Sequence, residues 1–304
     1  MKLKNLKTDP TTYAAIALFL LLNACTTPIQ KFHRTGSPAD FNNGTNSSQF
    51  KAGCPSVSVS IANVGKNPFL QNDGSLMGAI VSGSVKKSDK NRNDEYLRLL
   101  QNSDIQKYTQ DTTTQFINTV ISDSNILSIN KKCELSCPEN SAKINENDIE
   151  AWKKCPKSNE NLFSMGSGLL YYATEQGDVM DMVIYLEYFD SSIPRKAIYS
   201  EKYVSIEITD MFNNVDAIND SSKKLVDISF GKLSPWIKTD LLKRDNWYEA
   251  YQLVDVEFKN GNKRTGYKLE ETDSHLTFRY IDGGLEIIPK KFVESIKNSS
   301  SVRS

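Results

Sequence analysis

The sequence predicts an α+β protein, a mixed sheet packed with helices and followed by a small β-barrel. Three observations carry that expectation. Val57, Val59 and Ile61 alternate with Ser56, Ser58 and Ser60, the period-2 pattern of a strand with one buried face. "VMDMVIYLEYF" (Val179 to Phe189) is apolar on both faces and lies between two other strand-like runs, so it predicts a central strand covered on each side. After Tyr251, short alternating runs are punctuated by Asn260-Gly261 and Asp282-Gly283-Gly284, which read as hairpin turns.

The N-terminus has three parts. Lys2, Lys4 and Lys7 form a basic region, Ala14 to Leu22 are nine apolar residues in a row, and Asn23-Ala24-Cys25 follows. A bilayer core needs roughly 20 apolar residues, so this run suits the hydrophobic region of a secretory signal with small Ala24 at the cut. "LNAC" resembles the bacterial lipobox, and the resemblance implies that Cys25 is acylated and becomes the mature N-terminus. Stable anchoring takes two lipid signals, which the chains of a bacterial lipoprotein supply. Thr26 after the cysteine resembles the enterobacterial pattern of outer-membrane sorting. An ordinary signal cleaved near Ala24 is the alternative. Residues 1–24 are thus expected to be a lipoprotein signal peptide.

Residues 25–52 are rich in Thr, Ser, Asn, Gly and Pro without apolar periodicity, and read as a flexible tether in which Phe32, Phe41 and Phe50 are incidental. The α+β domain is expected over 53–222. Its elements begin with the serine-alternating strand and a second strand over Ala79 to Val85. A helix over Asn93 to Gln101 carries Tyr96, Leu99 and Leu100 on one face. A second helix, capped by Asp111, carries Phe116, Ile117, Val120 and Ile121. A short strand follows near Asn125 to Asn130. After a cysteine-bearing loop come three strands, Gly168 to Thr174, Val179 to Phe189 and Lys196 to Ile208, with turns at "EQGD" and "DSSIPR".

The order "VSVSIANVGKN", "TTTQFINTVISDSNILSI", then "GSGLLYYAT" and "MVIYLEYFDSSIPRKAIYSEKYV" resembles the periplasmic domain of certain outer-membrane lipoproteins. These are the activators of penicillin-binding proteins and the N-terminal part of the curli-secretion lipoprotein. The likeness covers roughly Cys54 to Ile208, and "IYSEKY" would be the counterpart of the pattern's last strand. The cysteine segment is an insertion that the pattern lacks. The resemblance implies a docking or activating role toward a peptidoglycan synthase or a secretion assembly.

Residues 223–297 are expected to form a helix plus a barrel. Ser234 and Pro235 suit the N-cap and first position of a helix over 234–246. Val256, Phe258, Tyr267, Leu269, Leu276, Phe278, Tyr280, Leu285, Ile287 and Ile288 mark four or five short strands, which resemble an SH3-like or Sm-like barrel. Residues 298–304 should be a disordered tail.

Export implies an oxidising compartment. Without Cys25, the even set Cys54, Cys133, Cys137 and Cys155 fits two disulfides, with three pairings open. A zinc site on Cys133, Cys137 and Cys155 is the alternative. Lys+Arg and Asp+Glu balance at 37 each, and no basic patch emerges, so no nucleic-acid partner is expected. Ser167 lacks the flanking spacing of a nucleophile elbow, and no phosphate loop or metal-protease motif is present. His33 and His275 are the only histidines. No catalytic residue, metal or cofactor is therefore assigned. Trp236, Trp247, Tyr248 and Tyr251 cluster in sequence and are candidate partner contacts. Packing between the two domains is the competing role for them. The expectation is a non-enzymatic lipoprotein, anchored in the outer membrane by its N-terminal lipid, facing the periplasm and binding an envelope protein. Two alternatives stand beside it, a cell-wall hydrolase and a surface-exposed adhesion or uptake lipoprotein.

Overall fold

A computed structural model of the protein describes residues 47–60, 87–101, 103–124, 128–135, 146–155, 160–174, 177–189, 191, 197–210, 212, 217–242, 247–259, 261–281 and 283–299. Cys25, Cys137, the expected strand at 79–85, the tether before residue 47 and the tail beyond residue 299 lie outside them.

The strands are β1 (Ser47–Ala52), β2 (Ser56–Ser60), β3 (Ser128–Glu134), β4 (Asn161–Thr174), β5 (Gly177–Phe189), β6 (Ala197–Thr209), β7 (Gln252–Phe258), β8 (Lys263–Glu271), β9 (His275–Tyr280), β10 (Leu285–Pro289) and β11 (Val293–Asn298). They join in one 11-stranded sheet of order β11-β7-β8-β9-β10-β6-β5-β4-β1-β3, with β2 also on β4. Strands β4, β5 and β6 form an antiparallel meander whose long hairpins follow from their extended apolar runs. Strands β1 and β2 run end to end along β4, both parallel to it, and β1 also pairs parallel with β3. The sheet is therefore mixed.

The helices are α1 (Lys87–Gln101), α2 (Ile105–Ser124), α3 (Glu146–Lys154) and α4 (Ile218–Leu242). One face of the sheet meets α1, α2 and α4 through Leu100, Ile105, Ile117, Val226, Leu233 and Ile237, which pack with Phe163, Tyr171, Met182, Ile184 and Tyr203. Phe116 of α2 meets Phe230 of α4 edge to face, with ring centroids 4.9 Å apart. On the other face, Val179, Val183, Val204 and Ile206 join Val254, Val256, Phe258, Leu276, Phe278 and Ile288. Strand β5 is central and buried on both faces, as its two-sided apolar run predicts.

The five C-terminal strands roll. Strands β10 and β11 stand at opposite ends of β11-β7-β8-β9-β10, yet only the 3₁₀ turn Lys290–Phe292 connects them. That turn crosses the end of the sheet: Lys290 N donates to Ser274 O (2.9 Å) and Lys259 N donates to Phe292 O (3.0 Å). A few residues span the three strands between β10 and β11 only if the sheet curls, because neighbouring strands lie about 4.8 Å apart.

Several expectations need correcting. The sheet is not closed as a separate barrel. Strand β10 continues it into β6 through a parallel seam of three pairs, Leu285 with Tyr203, Glu286 with Val204 and Ile287 with Ser205. The boundary expected between 222 and 223 falls inside α4. That helix begins sixteen residues before Ser234 and carries Pro235 within it. Proline supplies no N–H, so the Gly231 carbonyl loses its helical donor, and Ser234 Oγ approaches it at 3.4 Å instead. Asp111 lies inside α2, where it pairs with Lys107 at 2.8 Å rather than capping. The expected tether is too long by six residues: Ser47–Ala52 is β1, and Phe50 is fully buried against Phe163. Parallel pairing with chain that lies far downstream leaves no local period to read.

Cys133 is bonded to Cys155, which excludes Cys133 and Cys155 as zinc thiolates. Cys54 is also disulfide-bonded. The Cys133–Cys155 bond ties β3 to α3, a helix with no buried residue. Trp152 of α3 adds a hydrogen bond from Nε1 to Ala52 O (2.8 Å), with Lys51 Nζ 4.0 Å above its ring. The double variant Cys133→Ser/Cys155→Ser is expected to lose about 2–4 kcal/mol of stability. Urea titration with and without reductant checks this, and reductant should have no further effect through this bond in the variant.

Candidate functional site

The sequence candidates Trp236, Trp247, Tyr248 and Tyr251 come together. Trp236 projects from α4, and the others sit on and just after the 3₁₀ turn Trp247–Ala250. The Trp236 and Trp247 rings stack 6.0 Å apart at 8°. Tyr251 meets the Trp247 edge at 5.7 Å, and Tyr248 meets it at 6.2 Å. Tyr248 is buried and turns inward to Tyr267 at 5.2 Å. Trp236 and Trp247 are half-buried, while Tyr251 is 38% exposed and Leu242 nearby in sequence is 45% exposed. Trp236, Trp247 and Tyr251 therefore form an aromatic ladder that reaches the surface.

Beneath the ladder lies a buried ion network that sequence reasoning missed. Arg279 of β9 is 1% exposed. Its Nη1 donates to Glu201 Oε2 of β6 at 3.0 Å, and its Nη2 donates to Asp240 Oδ2 of α4. Glu201 also accepts from the Gly284 N–H at 2.6 Å. Asp240 accepts from Tyr203 OH at 2.9 Å and from Trp247 Nε1 at 2.8 Å. Tyr199 OH lies 3.0 Å from Tyr203 OH. The guanidinium rests 4.9 Å from the Tyr248 ring centroid and 5.8 Å from that of Trp247.

Burial opposes the charge on Arg279, but Asp240 and Glu201 outweigh that penalty and hold the guanidinium above its ordinary value. Burial likewise pushes the Tyr203 phenol well above its ordinary value, with Asp240 acting in the same direction. Tyr203 is thus a fixed donor, and the carboxylates accept from Arg279, Gly284, Tyr203 and Trp247. Trp247 links the two layers: its indole N–H binds Asp240, its face meets Arg279, and its ring also meets Trp236, Tyr248 and Tyr251. The arrangement pre-orders bulky amphipathic side chains at the surface, the condition under which aromatic side chains make strong contacts at low entropic cost.

The other candidates lie apart from this site. Cys25 and Cys137 fall outside the described residues, and Cys54, Cys133 and Cys155 belong to disulfides. His275 is on β9, with Nδ1 3.0 Å from Thr272 Oγ1. No group of metal-binding side chains occurs among the described residues, and no described helix is long and apolar enough to cross a membrane. One sequence signal pointed to the network: "SEKY" puts Glu201 and Lys202 side by side in an expected core strand, where ions need partners. No family model matches the chain, and no curated protein and no solved structure matches it either.

Proposed function

We propose that the chain is a non-enzymatic lipoprotein of the bacterial envelope that docks a protein partner through the Trp236–Trp247–Tyr251 ladder. The observation that carries the docking role is the ladder itself, stacked, partly exposed and fixed from below by Asp240 and Arg279. The place rests on sequence: the basic start, the nine apolar residues and Cys25 support outer-membrane anchoring through an N-terminal lipid. The segment between Cys25 and β1 is 21 residues long, and a flexible chain of that length would span about 25 Å on average. That length lets a head on the periplasmic side reach away from the membrane. The resemblance over residues 54–208 supports a partner of the synthase or secretion-assembly class. The strand order β11-β7-β8-β9-β10 with a 3₁₀ turn before the last strand supports an SH3-like reading of the C-terminal roll, a docking architecture that does not by itself name a partner.

Two variants test this. Cys25→Ala is expected to abolish palmitate labelling and release the protein from the membrane fraction. Trp236→Ala with Tyr251→Ala is expected to cut recovery of a cross-linked periplasmic partner from intact cells by about tenfold or more, as loss of hot-spot side chains does. Trp247 is left in place because it also holds Asp240. Membrane retention of Cys25→Ala would overturn the anchor. Unchanged cross-linking by the aromatic variant would overturn the docking surface.

A further inference from the structure

A second charged cluster lies on the opposite face of the sheet, at the end of the roll that holds Tyr280 and Glu286. Asp181 of β5 is fully buried, and its Oδ1 accepts from Tyr172 OH at 3.0 Å. Its Oδ2 is buried and has no hydrogen-bond partner. Lys202 of β6 is 4% exposed, and Nζ meets no hydrogen-bond acceptor among the described residues; the Tyr185 ring centroid is 6.0 Å away. Lys202 stands directly across from Tyr185, and Glu286 stands across from Val204, two residues further along. Glu286 accepts from Tyr280 OH, and Arg264 lies 5.7 Å from the Tyr280 ring centroid. Tyr185, Tyr280, Glu286 and Arg264 are half-buried and form the rim, whereas Asp181 and Lys202 form the floor.

The charges on these side chains are felt across the cluster. Burial pushes the Asp181 carboxyl well above its ordinary range, with Glu286 acting in the same direction and Tyr172 and Lys202 opposing. Burial pushes Lys202 down, and Glu286 and Asp181 act against it. An acceptor and a donor, both more than nine-tenths buried, thus stand unpaired in one place. Such groups are normally satisfied, and a polar site walled by aromatic rings is the usual build of a small-molecule pocket.

We propose that this end of the roll binds a neutral saccharide. Two acidic and two basic side chains surround the site, so a ligand of either charge would meet one like charge beside each opposite one. A hydroxyl both donates and accepts, and a row of hydroxyls can engage Asp181 Oδ2, Lys202 Nζ and Glu286 together. The C–H face of a sugar ring suits the electron-rich faces of Tyr185 and Tyr280. The site is separate from the aromatic ladder, so it stands or falls independently of the docking reading.

The test titrates the full chain with the N-acetylglucosamine tetramer and with maltotetraose, by calorimetry and tyrosine-ring NMR. One of these saccharides is expected to bind with a Kd below about 1 mM. Lys202→Met, which keeps the aliphatic stem, and Tyr185→Leu at the rim should each weaken binding by about tenfold or more. Trp236→Ala should leave it unchanged. The proposal is overturned if neither saccharide shifts the tyrosine resonances of the wild-type chain. It is equally overturned if a folded Lys202→Met or Tyr185→Leu binds as wild type, or if the galacturonate tetramer binds more tightly than both neutral probes.

Discussion

Arg279→Met is expected to lower the unfolding free energy by about 3–5 kcal/mol, because it removes the guanidinium that pairs with two buried carboxylates. Methionine fills most of the volume, so the loss reports charge rather than a cavity. Glu201 and Asp240 would remain out of water without their cation, while Gly284, Tyr203 and Trp247 still donate to them. Urea denaturation measures the change, with an unaltered slope showing that the folded state is otherwise kept. Adding Glu201→Gln and Asp240→Asn should recover part of the loss, since neutral groups carry a smaller desolvation cost. Trp247 fluorescence should shift as well, because that ring loses its cation neighbour. A change below about 1 kcal/mol would mean that the network is not a buried ion cluster in solution.

Gly266→Ala should be nearly as damaging. A β-carbon at Gly266 would stand 2.2 Å from the Arg279 carbonyl oxygen and 2.6 Å from Phe278 Cζ. Backbone on the adjacent strand cannot rotate away, so β8 and β9 must separate locally. Overpacking of this kind costs about 1–3 kcal/mol and occasionally more, and a backbone collision belongs at the upper end. Gly168→Ala is the internal comparison. There the nearest atom is Ser56 Oγ at 2.6 Å, a side chain that can turn aside, so the loss should be smaller. Equal losses at the two positions would contradict the distinction between a yielding side chain and an unyielding main chain.

The parts of this fold that were legible in the sequence are those with local periodicity. The apolar runs at Gly168 to Thr174, Val179 to Phe189 and Lys196 to Ile208 were read as strands and lie in β4, β5 and β6, with Gly177 and the "DSSIPR" break at their turns, whereas the first half of β4, Asn161 to Ser167, was not read as strand. The Asn260-Gly261 and Asp282-Gly283-Gly284 turns likewise marked the C-terminal hairpins, and Gly261, Gly283 and Gly284 have positive φ. Strand β1 was illegible because "SSQFKA" has two apolar residues and is ordered by parallel partners about 80 and 110 residues away. The beginning of α4 was hidden by Pro235, whose preference for a first turn was overridden by burial of Val226, Phe230 and Leu233 upstream.

The candidate site was half legible for a related reason. Trp236, Trp247, Tyr248 and Tyr251 are close in sequence and proved close in space. The ions beneath them come from positions 201, 240 and 279, and only the fold brings those together. Asp181 left a trace of its own, a single acidic residue in the apolar run Val179 to Leu186, and that trace went unread. A charge set within an otherwise greasy strand is worth pairing with every other such charge before it is assigned to solvent.

The three-pair seam between β10 and β6 also governs how the molecule can be dissected. Excising the C-terminal portion would strip β10 of its neighbour and leave its outer N–H and C=O groups as an open template for strand addition between copies. The remaining N-terminal portion would suffer the mirror defect along β6. Each piece alone is thus primed for self-association, which favours inheritance and folding of the whole sheet as a single cooperative body.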